Sequence, residues 1–293
     1  MTEGKSKKIK GLLIFLLTYI FAFGVGLLSY IILSKFELDI LLTLFLADVI
    51  ATIFVYIVGL FLNTASMYDP YWSVQTVFIY IPLMIKYQAY NIGTFIYLAA
   101  ILFWSIRLTI NFIKGFDDIS YIDWRYKMLK KKTGSLYQIV NLTGIHLFPT
   151  VIVFLASIPV YLYIINGFEF EPLNLIGIAV MVFATLIELI SDNDMRRFKA
   201  VRTSNKEIIN IGLWKHSRHP NYFGEILFWY GVAFVLIFSN LSLWYTIIGA
   251  FLNTLLFIFI SVPMEENHLK EYKDDFDEYK KKNVFLPINI FNK

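Results

Sequence analysis

Long apolar runs alternate with short polar segments along most of the chain. Most of these runs reach the length of about 17–25 residues that crosses the hydrocarbon core of a bilayer as an α-helix. Eight runs predict helices, of which the third is short: Gly11–Leu33, Ile40–Leu62, Tyr71–Ile85, Ile92–Phe112, Ile145–Ile165, Leu173–Ile190, Tyr222–Phe238 and Leu241–Val262. The pattern therefore predicts an all-α, polytopic transmembrane bundle of about seven or eight spans.

Lysine and arginine are distributed unevenly between the polar segments. If the N-terminus is cytoplasmic, the segments on that side carry seventeen of these residues and those on the opposite side carry two. Because cytoplasmic loops are enriched in lysine and arginine, both termini and the loops Lys114–Gly144 and Asp192–Pro220 are predicted to be cytoplasmic. After the last span, apolar residues recur at helical spacing within Met264–Lys293, which predicts a cytoplasmic amphipathic helix.

The composition agrees with a membrane protein and excludes several kinds of chemistry. Only 16% of the 293 residues are charged, whereas soluble domains have about 25%. The chain has no cysteine, which excludes disulfides, thiolate catalysis and iron–sulfur clusters. The basic loops follow the membrane topology, so we predict no nucleic-acid partner. No internal repeat divides the chain, and a single membrane domain is predicted over residues 1–293.

One stretch concentrates polar side chains immediately before an apolar run. It carries Lys215, His216, Arg218, His219, Asn221 and Glu225. Pro220 suits the first turn of a helix, because its missing N–H needs no partner there. A helix that begins at Pro220 puts Asn221 and Glu225 on one face, four residues apart. Glu225 then lies inside an apolar helix, where a carboxylate requires a partner or a function.

A second polar set ends the sixth apolar run. Its members, at steps of four, four and three, share one stripe of a helix that leaves the membrane: Glu188, Asp192, Arg196 and Lys199. The set is consistent with a salt-bridged helix end. Together with the Lys215–His219 stretch it also predicts a basic bowl that neutralises the phosphates of a dinucleotide. No glycine-rich phosphate motif is present, so such a bowl would consist of helix ends and side chains.

Metal binding and nucleophilic catalysis have less support. His216 and His219 are three residues apart, but a zinc site needs three or four converging ligands, so we predict no metal. Ser217 lies between these histidines, yet a serine beside a histidine is not a catalytic triad.

Ionisable residues inside or beside the spans are further candidates. Asp48, Arg107 and Glu188 lie among apolar neighbours, where charged side chains are paired or functional. The turn between the second and third spans carries Asp69 and Tyr71. This turn is either part of an aromatic belt or the site of an acid that polarises a carbonyl group.

The stretch Ile211–Glu225 reads Ile-Gly-Leu-Trp-Lys-His-Ser-Arg-His-Pro-Asn-Tyr-Phe-Gly-Glu and resembles the signature of the steroid 5-alpha-reductase-like membrane enzymes. Their bacterial branch, formerly of unknown function, shares the pattern most fully. Sterol C14 reductases and isoprenylcysteine carboxyl methyltransferases are more distant relatives. Further matching stretches follow in the same order: Asp69–Ser73, Arg107–Asn111, Asp123–Arg125, Ser191–Asp192 with Arg196, and Glu265–His268 through Pro287.

The resemblance implies a transmembrane bundle that holds NADPH at the cytosolic end of its C-terminal half, within residues 145–293. It implies cofactor contacts at Asp192, Arg196, Lys199, Arg218, His219, Asn221, Glu225, His268 and Tyr272. The N-terminal helices, within residues 1–113, would line a cavity for a hydrophobic lipid or steroid. In the relatives, a glutamate and a tyrosine from this half grip the substrate carbonyl. We expect Asp69 and Tyr71, with Arg107, to be the catalytic residues here.

The chemistry so implied is NADPH-dependent reduction of a carbon–carbon double bond conjugated to a carbonyl. A hydrogen-bond donor at the carbonyl oxygen would stabilise the enolate that forms on hydride transfer. Two alternatives stay open: a methyltransferase resembling the isoprenylcysteine carboxyl methyltransferases, and a non-enzymatic sterol-binding protein. S-adenosylmethionine, the methyltransferase cofactor, carries no phosphate, so the basic bowl favours the reductase.

Overall fold

The computed structural model describes residues 3–282, which form twelve α-helices. They are α1 (Glu3–Leu33), α2 (Ile40–Phe61), α3 (Tyr71–Lys86), α4 (Ile92–Gly115), α5 (Trp124–Thr133), α6 (Tyr137–Val140), α7 (Phe148–Ile165), α8 (Asn174–Val201), α9 (Pro220–Ser239), α10 (Ile248–Leu256), α11 (Val262–Tyr272) and α12 (Phe276–Lys280). The prediction of an all-α fold is confirmed. The last residues of the predicted tail Met264–Lys293, from 283 onward and including Pro287, lie outside the described residues.

Seven helical segments of the described chain are long and apolar enough to cross a membrane: Glu3–Phe36, Ile40–Phe61, Ile92–Gly115, Trp124–Ile165, Asn174–Val201, Pro220–Ser239 and Leu241–Tyr272. The chain is therefore an integral membrane protein with a polytopic bundle, as predicted. The expected third span forms a helix, α3, but it is not among these seven segments. Its 16 residues rise only about 24 Å, less than the roughly 30 Å of the hydrocarbon core.

Helices α8 and α9 pack closely because glycine lets their backbones approach. A Cβ atom on Gly231 would lie 2.8 Å from the Met181 backbone nitrogen and 2.9 Å from the Gly177 oxygen. Small residues allow such close approach between membrane helices. The packing brings the polar end of α8, with Asp192, beside the first turn of α9, with Asn221, and both residues line one cavity.

Aromatic residues join α4 to α9 in the core. The Trp104 ring stacks on Phe228 with centroids 4.7 Å apart and an interplanar angle of 11°. The Tyr97 hydroxyl donates to the Val232 carbonyl oxygen at 2.7 Å. Since the rings of Trp104 and Phe228 are fully buried, helices from the two halves of the chain share one core.

Polar segments predicted to lie on one side of the membrane meet at one end of the bundle, here called the polar end. It consists of α5, the α8–α9 loop and the α11–α12 segment. Trp124 of α5 stacks on His268 of α11 with ring centroids 3.9 Å apart. Lys273, after α11, donates to the Asn205 carbonyl oxygen in the α8–α9 loop at 2.7 Å. The predicted tail helix is present as α11, and the shorter α12 follows it.

Candidate functional site

A cavity at the polar end lies between α8, the start of α9 and the α11–α12 segment, and is here called the basic cavity. Its volume is about 260 Å³, slightly below the ~300–1,000 Å³ of typical ligand pockets. Six of the predicted cofactor residues line it: Asp192, Lys199, Arg218, His219, Asn221 and Tyr272. The fold thus brings together side chains from three segments that are distant in the sequence.

Four cationic side chains, Lys199, Arg202, Arg218 and Lys273, line the basic cavity together with two carboxylates, Asp192 and Glu265. Burial, and then repulsion by Arg202 and Lys199, lowers the pKa of the Lys273 ammonium group. The backbone oxygens of Asn205 and Glu207 accept hydrogen bonds from its Nζ and hold it in place. An anion between these cations is favoured, because it removes the repulsion and accepts charge-assisted hydrogen bonds.

Arg218 and His219 also line the basic cavity, but one carboxylate pairs with both of them. Glu266 Oε1 lies 3.0 Å from Arg218 Nη1 and 3.2 Å from His219 Nε2. The His219 ring stacks on Tyr222 with centroids 5.1 Å apart, and the Tyr279 hydroxyl donates to the Arg218 carbonyl oxygen at 2.7 Å. Glu266 is therefore an internal counter-ion here, and a phosphate group would have to compete with it for these two residues.

Asp192 connects the basic cavity to a buried ion cluster formed with Arg107, Glu188 and Glu225. Asp192 Oδ2 lies 2.8 Å from Arg107 Nη1. Arg107 Nη2 donates to Glu188 and lies 3.9 Å from Glu225 Oε2. The four side chains are at most 11% exposed. The guanidinium of Arg107 on α4 therefore forms ion pairs with three carboxylates on α8 and α9.

Two tryptophans complete the pairing of Glu225. Trp104 Nε1 donates to its Oε2 at 3.0 Å, and Trp229 Nε1 donates to its Oε1 at 2.8 Å. The Trp104 ring also packs edge-on against Trp72 of α3, with centroids 5.6 Å apart. The tryptophans therefore link the ion cluster to the helix that carries Tyr71.

A second cavity, here called the apolar cavity, lies between α1, α2 and α3 and has a volume of about 60 Å³. Most of its lining is aliphatic or aromatic, and its polar side chains include Asp48, Tyr71 and Gln75. Asp48 is 5% exposed, and its Oδ2 has no hydrogen-bond partner within residues 3–282. Ligand sites typically combine such an apolar lining with a few polar groups.

Buried hydroxyl groups hold the turn before α3. Thr52 Oγ1 lies 3.1 Å from Thr150 Oγ1, which lies 2.8 Å from the Tyr68 hydroxyl. The Tyr68 and Tyr71 rings pack with centroids 5.9 Å apart. This hydroxyl network fixes the position of Tyr71 at the apolar cavity.

The structure separates the two residues that were expected to grip a carbonyl together. Tyr71 lines the apolar cavity, whereas Asp69 accepts a hydrogen bond from Tyr126 of α5 at the polar end. Burial raises the pKa of Asp69 to about 7, although the positive charge of Arg125 acts to lower it. Asp48, and not Asp69, shares the apolar cavity with Tyr71.

Three predicted cofactor residues do not line the basic cavity in the described chain. Arg196 donates to the side-chain oxygen of Asn111 on α4, His268 stacks on Trp124, and Glu225 belongs to the ion cluster. Their contact with a cofactor stays a prediction.

Other residues at the two cavities were not selected from the sequence. Arg202 and Lys273 follow the ends of α8 and α11, and their proximity arises only when those ends meet. Gln75 carries a signal that the sequence shows, because it is an amide in an apolar run four residues after Tyr71. Asp48 was recognised as an intramembrane charge and Tyr71 as a catalytic candidate, but their proximity was not predicted.

These features define a class of protein: a helical membrane protein with a cavity lined by basic side chains at one end and an apolar cavity between its helices. The family model described as "Protein of unknown function (DUF1295)" matches residues 55–283. The chain belongs to this family.

The chain is also similar to curated proteins outside that description. It is 30% identical over 119 residues to 3-oxo-5-alpha-steroid 4-dehydrogenase 1 of Macaca fascicularis and of Homo sapiens, over 40% of this chain and 42% of each relative. The match thus spans less than half the length of these relatives. The chain is 24% identical to the uncharacterized protein C594.04c of Schizosaccharomyces pombe, over 43% of either chain. No solved structure matches it. The similarities support membership of the steroid 5-alpha-reductase-like group.

Proposed function

We propose that this protein is an NADPH-dependent membrane reductase of a carbon–carbon double bond conjugated to a carbonyl in a steroid or other lipid. The observation that carries the proposal is the pairing of two cavities, one basic and one apolar, in a chain similar to 3-oxo-5-alpha-steroid 4-dehydrogenase 1. The basic cavity suits the phosphates of the cofactor. The apolar cavity suits the carbonyl end of a lipid.

The residues at the basic cavity fit the phosphate-bearing part of NADPH. Lys199, Arg202 and Lys273 supply three positive charges. Asn221 Oδ1 is buried at the cavity without a hydrogen-bond partner in the described chain. An unpaired buried oxygen costs about 1–3 kcal/mol until a ligand N–H or O–H pairs with it. A volume of about 260 Å³ admits part of a dinucleotide, so we assign the phosphates to this cavity.

Tyr71 is the residue that we assign to the substrate carbonyl. Tyr71 is 1% exposed, and its protonated phenol is a hydrogen-bond donor in an apolar environment. A donor at the carbonyl oxygen stabilises the negative charge that develops when the β carbon accepts a hydride. NADPH, when bound, supplies that hydride, and the α carbon then takes a proton. Asp48 lines the same cavity, and its unpaired Oδ2 can accept a hydrogen bond from a second polar group of the ligand.

Arg107, expected to be catalytic, is better explained as a positioning residue. It contacts Asp192, which lines the basic cavity, and it does not line either cavity in the described chain. Its role would be to fix the end of α8 relative to α4 and α9.

Nucleotide binding by purified full-length protein in detergent tests the proposal. We expect tighter binding of NADPH than of S-adenosylmethionine, and an affinity that falls as salt rises, because salt screens the phosphate–cation attraction. Lys273→Met should weaken NADPH binding by about ten- to a hundredfold, since it removes a charge-assisted hydrogen bond. Lys206→Met is the control, because Lys206 is exposed, pairs with Asp274 at 3.1 Å and lies outside the lining.

Substrate turnover is the second measurement. With a 3-oxo-4-ene steroid, the near-ultraviolet absorbance of the reduced nicotinamide should fall as the double bond is lost. Tyr71→Phe should lower kcat, because it removes the donor at the carbonyl. Tight binding of S-adenosylmethionine without affinity for NADPH would overturn the reductase in favour of a methyltransferase. Steroid binding without affinity for either cofactor would indicate a sterol-binding protein.

A further inference from the structure

Gln75 is a buried polar residue of the apolar cavity whose side chain has no hydrogen-bond partner within residues 3–282. Its side chain lines this cavity, and the residue is 1% exposed. Neither its Oε1 nor its Nε2 has a hydrogen-bond partner within the part of the chain that the structure describes. Buried side-chain polar atoms in folded proteins are in large majority paired. An amide with both atoms unpaired at a cavity therefore points to a ligand.

The chemistry of an amide limits what this ligand can be. The nitrogen of Gln75 needs an acceptor, and its oxygen needs a donor. A ketone oxygen is only an acceptor, so it leaves one of the two atoms unpaired. A hydroxyl group donates one hydrogen bond and accepts others, so it can satisfy both. This conclusion does not depend on which way the amide is turned, because both atoms lack a partner.

The position of Gln75 relative to Tyr71 fixes where such a hydroxyl would lie. Residues four apart on a helix share one face and are about 6 Å apart along its axis. If the substrate carbonyl lies at Tyr71, the second polar group of the ligand lies about one helical turn further along α3. Asp48 of α2 lines the same cavity, and its unpaired Oδ2 adds to the demand for a hydrogen-bond donor.

We propose that Gln75 is a specificity-determining residue that selects lipids with a hydroxyl group about one helical turn from the carbonyl. The proposal rests on the proposed function, because it takes Tyr71 as the donor to the carbonyl. A site that hydrogen-bonds a substrate hydroxyl rejects the analogue without it, since the buried polar group is then left unpaired. Loss of such a pairing corresponds to about ten- to a hundredfold in affinity.

The test is equilibrium binding to the full-length protein in lipid nanodiscs. The probes are 3-oxo-4-ene steroids that differ in the presence and position of one hydroxyl on rings A and B, measured by competition against the tritiated parent steroid. Wild type should bind at least one hydroxylated steroid about ten- to a hundredfold more tightly than the parent. Gln75→Leu should abolish this preference and bind the parent at least as tightly as wild type does.

Two further variants make the test specific. Thr76→Val is the matched control, since Thr76 lies next to Gln75 on α3, bonds Ser157 at 2.8 Å and does not line the cavity. It should keep the preference. Gln75→Met keeps the unbranched shape of the side chain and should behave as Gln75→Leu does. Both Gln75 variants should unfold at the same temperature as the ligand-free wild type or higher, because they remove an unpaired polar group.

The outcomes separate the inference from the proposed function. Equal affinity of wild type for all the steroids, or a preference that survives in Gln75→Leu, overturns the specificity role. The reductase then stands if these steroids still oxidise NADPH. Failure of both Gln75 variants to fold shows that the amide is paired in the native protein and also overturns the role. If no steroid binds and none oxidises NADPH, the proposed function fails and the inference fails with it.

Discussion

Arg107 is the residue whose replacement tests the buried ion cluster most directly. In the described chain it is the guanidinium that contacts Glu188, Asp192 and Glu225, and its side chain is 5% exposed. Arg107→Met keeps most of the side-chain length but removes the charge. Three carboxylates would then lie close together in a buried site without this cation, and we expect a large loss of stability.

The magnitude follows from the distances. At an effective dielectric constant of about 20, unit charges 2.8 Å and 3.9 Å apart attract by about 6 and 4 kcal/mol. Desolvation and repulsion between the carboxylates cancel much of this gain. Removal of one partner from a buried ion pair typically costs about 3–5 kcal/mol, which is a large part of a total stability of about 5–15 kcal/mol. Arg107→Met should therefore lower the free energy of unfolding by about 3–5 kcal/mol.

Thermal unfolding in detergent, at one scan rate for all variants, measures the effect. Arg125→Met is the matched control: Arg125 pairs with Asp123 at 2.7 Å, but its side chain is 42% exposed, so the cost should stay below about 1 kcal/mol. Arg107→Met combined with Glu188→Gln should recover part of the loss, because it removes one uncompensated carboxylate. Equal stability of Arg107→Met and wild type, or a double variant no better than the single one, would refute the charge balance described here.

Three further predictions concern stability. The raised pKa of Asp69 means that the folded protein holds a proton which the unfolded chain releases above about pH 4. The free energy of unfolding should therefore fall as pH rises from about 4 to about 7, by at most about 1.4 kcal/mol per pH unit. Asp69→Asn should flatten this dependence when urea unfolding is measured at several pH values. Thr150→Val should cost about 1–3 kcal/mol in the same assay, because it leaves Thr52 and Tyr68 without their shared partner, whereas Thr150→Ser should cost less. Gly231→Ala should lower the thermal midpoint, since its Cβ would collide with the α8 backbone; an unchanged midpoint would show that the helices separate at little cost.

The sequence predicted the fold well because membrane spans are encoded locally. Each span is a long apolar run with at most an isolated charge, and lipid leaves the backbone few alternatives to a helix. The start of α9 at Pro220 followed from helix chemistry, and the structure has it there. The polar stripe from Glu188 to Lys199 predicted that the sixth helix continues beyond its apolar run, and α8 does continue to Val201. The partners of this stripe on α4 were harder to predict, because they come from a distant segment of the sequence.

The candidate site was predictable only where one segment carries several of its residues. The Lys215–Glu225 stretch identified one side of the basic cavity, and the α8 stripe identified another. Lys273 belongs to a different segment, and no periodicity connects it to Lys199 across more than seventy residues. The pairing of Asp48 with Tyr71 was missed for the same reason, since α2 and α3 meet only in the tertiary structure.

The charges at the basic cavity and in the ion cluster are unbalanced in opposite directions, and Asp192 takes part in both. Four cationic side chains and two carboxylates line the cavity, whereas the cluster has three carboxylates and one guanidinium. The positive charge of Lys199 also attracts Asp192, and so competes with Arg107, which pairs with this carboxylate at 2.8 Å. A phosphate group bound to the cavity cations would reduce that competition and leave Asp192 to Arg107. Cofactor binding at the polar end would thereby strengthen the contact between α4 and α8. These two helices connect the basic cavity to the aromatic residues next to Tyr71.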